Sequence, residues 1–196
     1  TAVMTQEGAG AHRFWGFSPA LDLFSEAPAT TGTVSAADGD GDGAPPPLRA
    51  LMVAPGDMRH VLRSVAAEAR RAHAGKAAAR PAEYYVYERE PEVLARHMML
   101  LAIALDFEVP RRERAELLLE VWANALLREK TAAYVAARAA LLRRIVVDEW
   151  TQEPLAALID GGGLKSRDRD ALETVLRSWA EDVEFDVVKL RDERLR

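Results

Sequence analysis

Residues 48–90 read LRALMVAPGDMRHVLRSVAAEARRAHAGKAAARPAEYYVYERE, and the parsing of this stretch decides the fold. Ala50-Leu51-Met52-Val53-Ala54 is a short apolar run between a Pro-rich stretch (Pro45–Pro47) and Pro55-Gly56. A run this short, bounded by turn residues, reads as a buried strand over 48–55. Asp57 then offers a side-chain oxygen to the free amides of a helix start. Met58, Val61, Leu62, Val65, Ala66 and Ala69 recur behind it at helical spacing, and Gly75 stops the helix. Tyr84, Tyr85, Val86 and Tyr87 favour extended backbone and predict a second strand. Strand, helix, strand with tight ends implies a right-handed parallel βαβ unit.

Working outward, PEVLARHMMLLAIALDF (91–107) predicts a helix that starts at Pro91 and buries Val93, Leu94, Met98, Leu101, Ala102 and Leu105. The span from Pro110 to Arg144 is helical throughout but too long for one ordinary helix, so a break is expected near Arg128–Thr131. Ile145-Val146-Val147 reads equally as a strand or a helix end. Gly161-Gly162-Gly163 is a turn, after which Ser166 or Asp168 caps a helix with Leu172, Val175, Leu176 and Trp179 on one face. Two clear strands are too few to form an open α/β sheet. Either the domain is mostly helical, or its sheet is completed by sequence beyond Arg196; the second is favoured, and the expectation is a helix-rich, Rossmann-like α/β domain over 48–196.

Upstream, residues 1–24 hold Phe14, Trp15, Phe17, Leu21, Leu23 and Phe24 close together. This aromatic segment is expected to pack on the domain, with Ser18-Pro19 opening a short helix. Residues 25–47 are an acidic Gly/Pro linker with little that can enter a core. Asp38, Asp40, Asp42 and Gly43 copy the first half of a calcium loop, but Arg49 stands where the bidentate Glu belongs. The segment reads as a solvated linker.

Composition removes several function classes. The 196 residues contain no cysteine, which excludes disulfides, Cys-ligated zinc, iron–sulfur clusters and a thiol nucleophile. The net charge of −5 excludes a strongly basic nucleic-acid module. No apolar run is long enough to span a bilayer, and no secretory signal opens the chain. The chain is expected to be soluble, intracellular and part of a longer protein.

The chemistry concentrates at the strand-to-helix turn. In doubly wound sheets, ligands bind at the carboxyl ends of the strands. Gly56 admits close backbone approach there, and the helix start presents free N–H groups. Glu88 ends the second strand, where such folds place an acid for ribose hydroxyls. Gly56 and Glu88 are thus candidates for one nucleoside pocket; otherwise Gly56 shapes a turn, Asp57 caps a helix and Glu88 is solvated. Arg59 and His60 lie in the first helical turn and oppose the helix dipole, so Asp57 or Glu88 is expected to compensate them. His97 lies on an apolar helix and reads as structural. No H-E-x-x-H or G-x-S-x-G occurs, so neither a zinc site nor a serine nucleophile is expected.

FWGFSPALDL, ALMVAPGDMRHVLRSV, YYVYEREPEVLARHMMLLAIALD, LLLEVWANALLR and LKSRDRDALETVLRSWA follow one another as in a known family. Together they resemble the N-terminal region of the dynein axonemal assembly factor 3 family. The resemblance implies a cytoplasmic factor that preassembles dynein arms for cilia and flagella. It implies dynein heavy or intermediate chains, other assembly factors and chaperones as partners, with no nucleic acid and no membrane. It also implies a region similar to class I S-adenosylmethionine-dependent methyltransferases. The family's cofactor turn falls on Ala54, Gly56, Asp57, Arg59 and His60, and its second-strand acid on Glu88. The cofactor implied is S-adenosylmethionine or S-adenosylhomocysteine. This sequence departs from ordinary methyltransferases in having one Gly in the turn and no N-P-P-Y motif. A binding scaffold and an active methyltransferase both remain as readings.

Overall fold

A computed structural model describes residues 18–26, 47–75, 78–124, 126–148, 154–181, 188–189 and 192. The calcium-like run 38–43, the aromatic residues 14, 15 and 17 and Trp150 lie outside the described residues. The chain divides into two compact units, one of Trp15–Glu88 and one holding Arg89–Arg196.

The first unit contains α1 (Leu23–Glu26), β1 (Leu48–Val53), α2 (Arg59–Gly75) and β2 (Ala82–Tyr87). β1 and β2 pair in parallel, with Leu48 opposite Ala82 and Val53 opposite Tyr87. The βαβ order is as expected, but the strand is not buried on both faces. Leu48 and Met52 are buried, while Leu51 (70% exposed) and Val53 (64%) face outward. Tyr85 (54%) and Tyr87 (64%) extend the same open face on β2. Side chains alternate across a strand, so a sheet covered on one side exposes every second residue, however apolar.

α2 also corrects the expected stripe. Met58 and Val61 are buried, but so are Ser64 and Ala67, while Val65, Ala66 and Ala69 are exposed. The inward face follows positions 58, 61, 64 and 67. Ser64 belongs to it because its hydroxyl is satisfied, donating to the His60 carbonyl at 2.7 Å. Such back-bonding lets a serine sit on the inward side of a helix.

The second unit contains α3 (Pro91–Ala104), α4 (Arg111–Ala123), α5 (Glu129–Val147), a short 3-10 turn (Pro154–Ala157) and α6 (Ser166–Ala180). α3 is buried on nearly every side, from Val93 through Ile103, as a helix apolar all round must be. Met99 and Ile103 of α3, Leu142 of α5, and Leu172 and Leu176 of α6 form the fully buried centre. His97 is buried within α3, as expected of a structural histidine. Ile145–Val147 is a helix end. Trp179 packs against the core, but Trp122 is exposed, because α4 turns Leu117 and Glu120 inward instead.

The break before α5 has a specific cause. The buried Glu120 carboxylate accepts the Arg128 backbone N–H, Arg128 Nε at 2.8 Å and Thr131 Oγ1 at 2.8 Å. These bonds gather free donors at the start of a new helix, so the chain turns where Arg128 reaches back to α4. They also hold Glu120 down to a pKa of about 2, the Arg128 side chain contributing most. At the start of α6, neither Ser166 nor Asp168 is the cap. Lys165 takes the N-cap position and makes no side-chain cap bond.

Candidate functional site

The six residues expected to form a site all lie in the first unit, where the parallel register brings the strand ends together. Val53 faces Tyr87, and the Ala54 N–H donates to the Tyr87 carbonyl at 2.9 Å. Ala54 and Glu88 therefore leave the sheet side by side. Ala54 has φ 46° and Gly56 φ 78°, both left-handed. Glycine adopts this conformation freely, whereas alanine is strained in it. Strained backbone at the carboxyl end of a parallel strand is where α/β proteins tend to keep ligands.

The other three residues are engaged within the protein. Asp57 is buried, and its Oδ1 accepts the Arg59 N–H at 3.0 Å, capping α2 as expected. Its Oδ2 pairs with Arg59 Nη1 at 2.8 Å, the compensation the helix dipole requires. The rest of the Arg59 guanidinium is turned to Ser18: Nε donates to its carbonyl at 3.0 Å and Nη2 to its hydroxyl at 2.9 Å. His60 Nδ1 accepts the Leu21 N–H at 3.0 Å. Burial first, then the neighbouring Arg59, holds His60 below the usual histidine pKa. A neutral imidazole is what this bond needs, because an imidazolium has no acceptor.

Sequence reasoning missed the partner of these groups, the segment Ser18–Glu26. It was expected to pack through apolar side chains and to open a helix at Ser18. Leu23 and Phe24 are half-buried and Leu21 is exposed, and the helical turn begins at Leu23 rather than Ser18, with Asp22 as its acceptor. Ser64 Oγ accepts the Leu23 N–H at 2.9 Å. Arg71 donates to Asp22 at 2.6 Å and lies 5.6 Å over the Phe24 ring. Asp22 is held below the usual carboxylate range, chiefly by that Arg71 bond. These pairs are 39–49 positions apart in sequence, and several use backbone atoms, so composition carries no trace of them.

Among the described residues, no group of three His, Asp or Glu side chains is placed to hold a metal ion. No helix among them is long and apolar enough to cross a membrane. The second unit has a shallow cavity of about 400 Å³ lined by Val147, Ser166, Arg169, Asp170 and Glu173; none of the six residues lines it.

A strand-end turn beside a strand-end acid, on a parallel βαβ unit, is a module that protein families carry as a unit. Residues 14–127 match the family described as Domain of unknown function (DUF4470), and the chain belongs to that family. The resemblance to dynein axonemal assembly factor 3 holds across nearly the whole chain. The chain is 37% identical to that protein of Homo sapiens over 202 residues, covering 100% of the chain and 36% of the relative. It is 36% identical to that of Bos taurus over 199 residues, covering 96% and 34%. It is 37% identical to the homolog of Chlamydomonas reinhardtii over 188 residues, covering 86% and 25%. The chain thus spans about a third or less of the length of these relatives. No solved structure matches it.

Proposed function

We propose that this chain is part of a cytoplasmic assembly factor for axonemal dynein arms, acting as a methyltransferase-like binding scaffold. The observation that carries the reading is 36–37% identity to proteins named dynein axonemal assembly factor 3 over nearly all of the chain. The partners it would hold are dynein heavy or intermediate chains, other assembly factors or chaperones. The local geometry favours holding over catalysis. The Asp57 carboxylate, the Arg59 guanidinium and His60 Nδ1 are engaged inside the protein, on α2 and on Ser18–Leu21. Capture of dynein heavy chains by the full-length protein is expected to survive combined Gly56→Ala and Glu88→Ala substitution. Loss of capture in that variant, with its fold intact, would overturn the reading.

A second reading, an active S-adenosylmethionine-dependent protein methyltransferase, has one observation in its favour. Ala54, Gly56 and Glu88 share the carboxyl edge of a parallel sheet, with left-handed backbone at the turn. On this reading the left-handed Gly56 would let backbone approach a nucleoside, and the Glu88 carboxylate would take its ribose hydroxyls. When bound, S-adenosylmethionine supplies the transferable methyl group, and S-adenosylhomocysteine would occupy the same edge. This reading makes β1–β2 the front of a larger sheet. Parallel sheets are covered on both faces, and here Leu51, Val53, Tyr85 and Tyr87 are exposed on one. Calorimetry on the full-length protein should then show micromolar binding, roughly −8 kcal/mol, that Glu88→Ala weakens. Absence of heat with the intact protein would sink it.

A further inference from the structure

The contacts of Ser18–Glu26 follow a pattern that a folded element seldom shows. No residue of α1 is buried, and Ser18 through Leu21 are exposed. What holds the segment is a row of polar clamps along α2: Arg59 on the Ser18 carbonyl and hydroxyl, His60 on the Leu21 amide, Ser64 on the Leu23 amide, and Arg71 on the Asp22 carboxylate. Three of these contacts reach backbone atoms, which any extended peptide offers. One reads a side-chain charge.

The receiving groups on α2 are oriented by neighbours that belong to α2 itself or its leading turn. Asp57 holds Arg59 through an ion pair at 2.8 Å. The His60 carbonyl holds the Ser64 hydroxyl at 2.7 Å. Glu68 holds Arg71 at 2.9 Å and is itself fixed by the Arg80 N–H at 2.8 Å. Three of the four clamps, Arg59, Ser64 and Arg71, thus have a neighbour on their own side of the contact that orients them without the segment, the arrangement that lowers the ordering cost of binding. The segment is held more weakly than a packed element, because Leu23 and Phe24 are only half-buried and the Arg71–Asp22 pair is open on its arginine side.

We propose that this face of α2 is a peptide-docking site. Ser18–Glu26 is its resident strap, displaced by a partner-protein segment of the same chemistry. That segment presents two backbone N–H groups to His60 Nδ1 and Ser64 Oγ, carries an acidic side chain for Arg71 with an aromatic ring two residues later, and turns helical after the acidic residue as α1 does. The proposal deepens the scaffold reading by giving it a surface. Its test uses a defined peptide, so it fails or holds independently of whether dynein chains are captured.

The probe is a fluorescein-labelled peptide, SPALDLFSE, read by anisotropy against the full chain. Asp22→Lys sets two cations face to face and opens the strap. The opened chain is expected to bind the peptide at least tenfold more tightly than the parent, whose own strap competes in cis. Arg71→Ala in the opened chain, or Ala in place of Asp in the peptide, should remove at least tenfold of that affinity. As a second measurement on the parent chain, excess unlabelled peptide should speed hydrogen exchange at the Leu21 and Leu23 amides. Equal affinity for opened and parent chains would overturn the proposal, as would indifference to Arg71→Ala. So would failure of the peptide to bind an opened chain of unchanged helix content, or Leu21 and Leu23 amides that exchange only with global unfolding.

Discussion

The two units use their apolar sequence differently. The helical unit closes on itself: Met99, Ile103, Leu142, Leu172 and Leu176 are fully buried, contributed by three helices. The βαβ unit leaves Leu51, Val53, Tyr85 and Tyr87 exposed, and secures its N-terminal strap with hydrogen bonds. One region is held by packing, where a lost methyl group leaves a void. The other is held more by polar contacts to backbone, which can be made and unmade. If α2 docks a partner segment as proposed, stability and recognition fall on different stretches of the chain.

The sharpest way to break this comparison is a matched pair of truncations. Leu142→Ala is expected to cost about 2–5 kcal/mol, because the fully buried side chain leaves a cavity. Leu51→Ala removes the same atoms from an open face and should change stability by no more than about 0.5 kcal/mol. Urea unfolding followed by circular dichroism measures both. A large loss at Leu51 would mean that its face is covered in solution.

Next in size is Glu120→Gln, which weakens a carboxylate shared by Arg128 and Thr131 at the α4–α5 break. Hydrogen bonds to a charged group are stronger than neutral ones, so the expected cost is about 1–3 kcal/mol. The pH dependence sharpens it. Glu120 has a folded pKa of about 2 against an ordinary 4.5, so its contribution is complete above about pH 4.5 and fades as pH falls toward 2. Unfolding curves of parent and variant should therefore converge on acidification. A gap that stays constant down to pH 2.5 would show that the carboxylate is not the stabilising form.

How far the sequence was legible follows from the range of each interaction. The βαβ order, the start of α3 at Pro91 and the break near Arg128 are written in apolar spacing and turn residues, which act within a few positions. The half-open sheet was not legible, because LMV and YYVY look the same whether one face or two are covered. The phase of α2 was misread because Ser64 is polar by composition and buried by virtue of its bond to His60. At the candidate site, that the turn after β1 and the end of β2 leave the sheet side by side followed from parallel pairing alone. The engagement of Arg59 and His60 did not, since Ser18 and Leu21 lie about forty residues away.

The pH response of His60 is the next smaller effect. Its folded pKa lies below the ordinary 6.5, so the unfolded chain binds a proton more readily. Stability is complete above about pH 6.5 and declines as pH falls from there toward the folded value. The loss should be local, appearing first as faster hydrogen exchange at the Leu21 amide, while the helical unit keeps its protection. Simultaneous loss in both units would mean that the strap is as firmly bound as the core.

The smallest expected effect separates the two roles left for the strand-end turn. Ala54 has φ 46° and Gly56 φ 78°. Left-handed backbone costs an L-residue about 1–2 kcal/mol, partly offset here because glycine has more unfolded freedom to lose. Ala54→Gly should thus raise stability by up to about 1 kcal/mol, and Gly56→Ala should lower it by about 1 kcal/mol. If the turn only reverses the chain, binding functions should be indifferent to Ala54→Gly. If the turn is a ligand edge, the relaxed glycine should weaken S-adenosylmethionine binding while stabilising the fold. That opposition between stability and affinity is the mark of strain kept for a site, and calorimetry beside a melting curve reads both from one preparation.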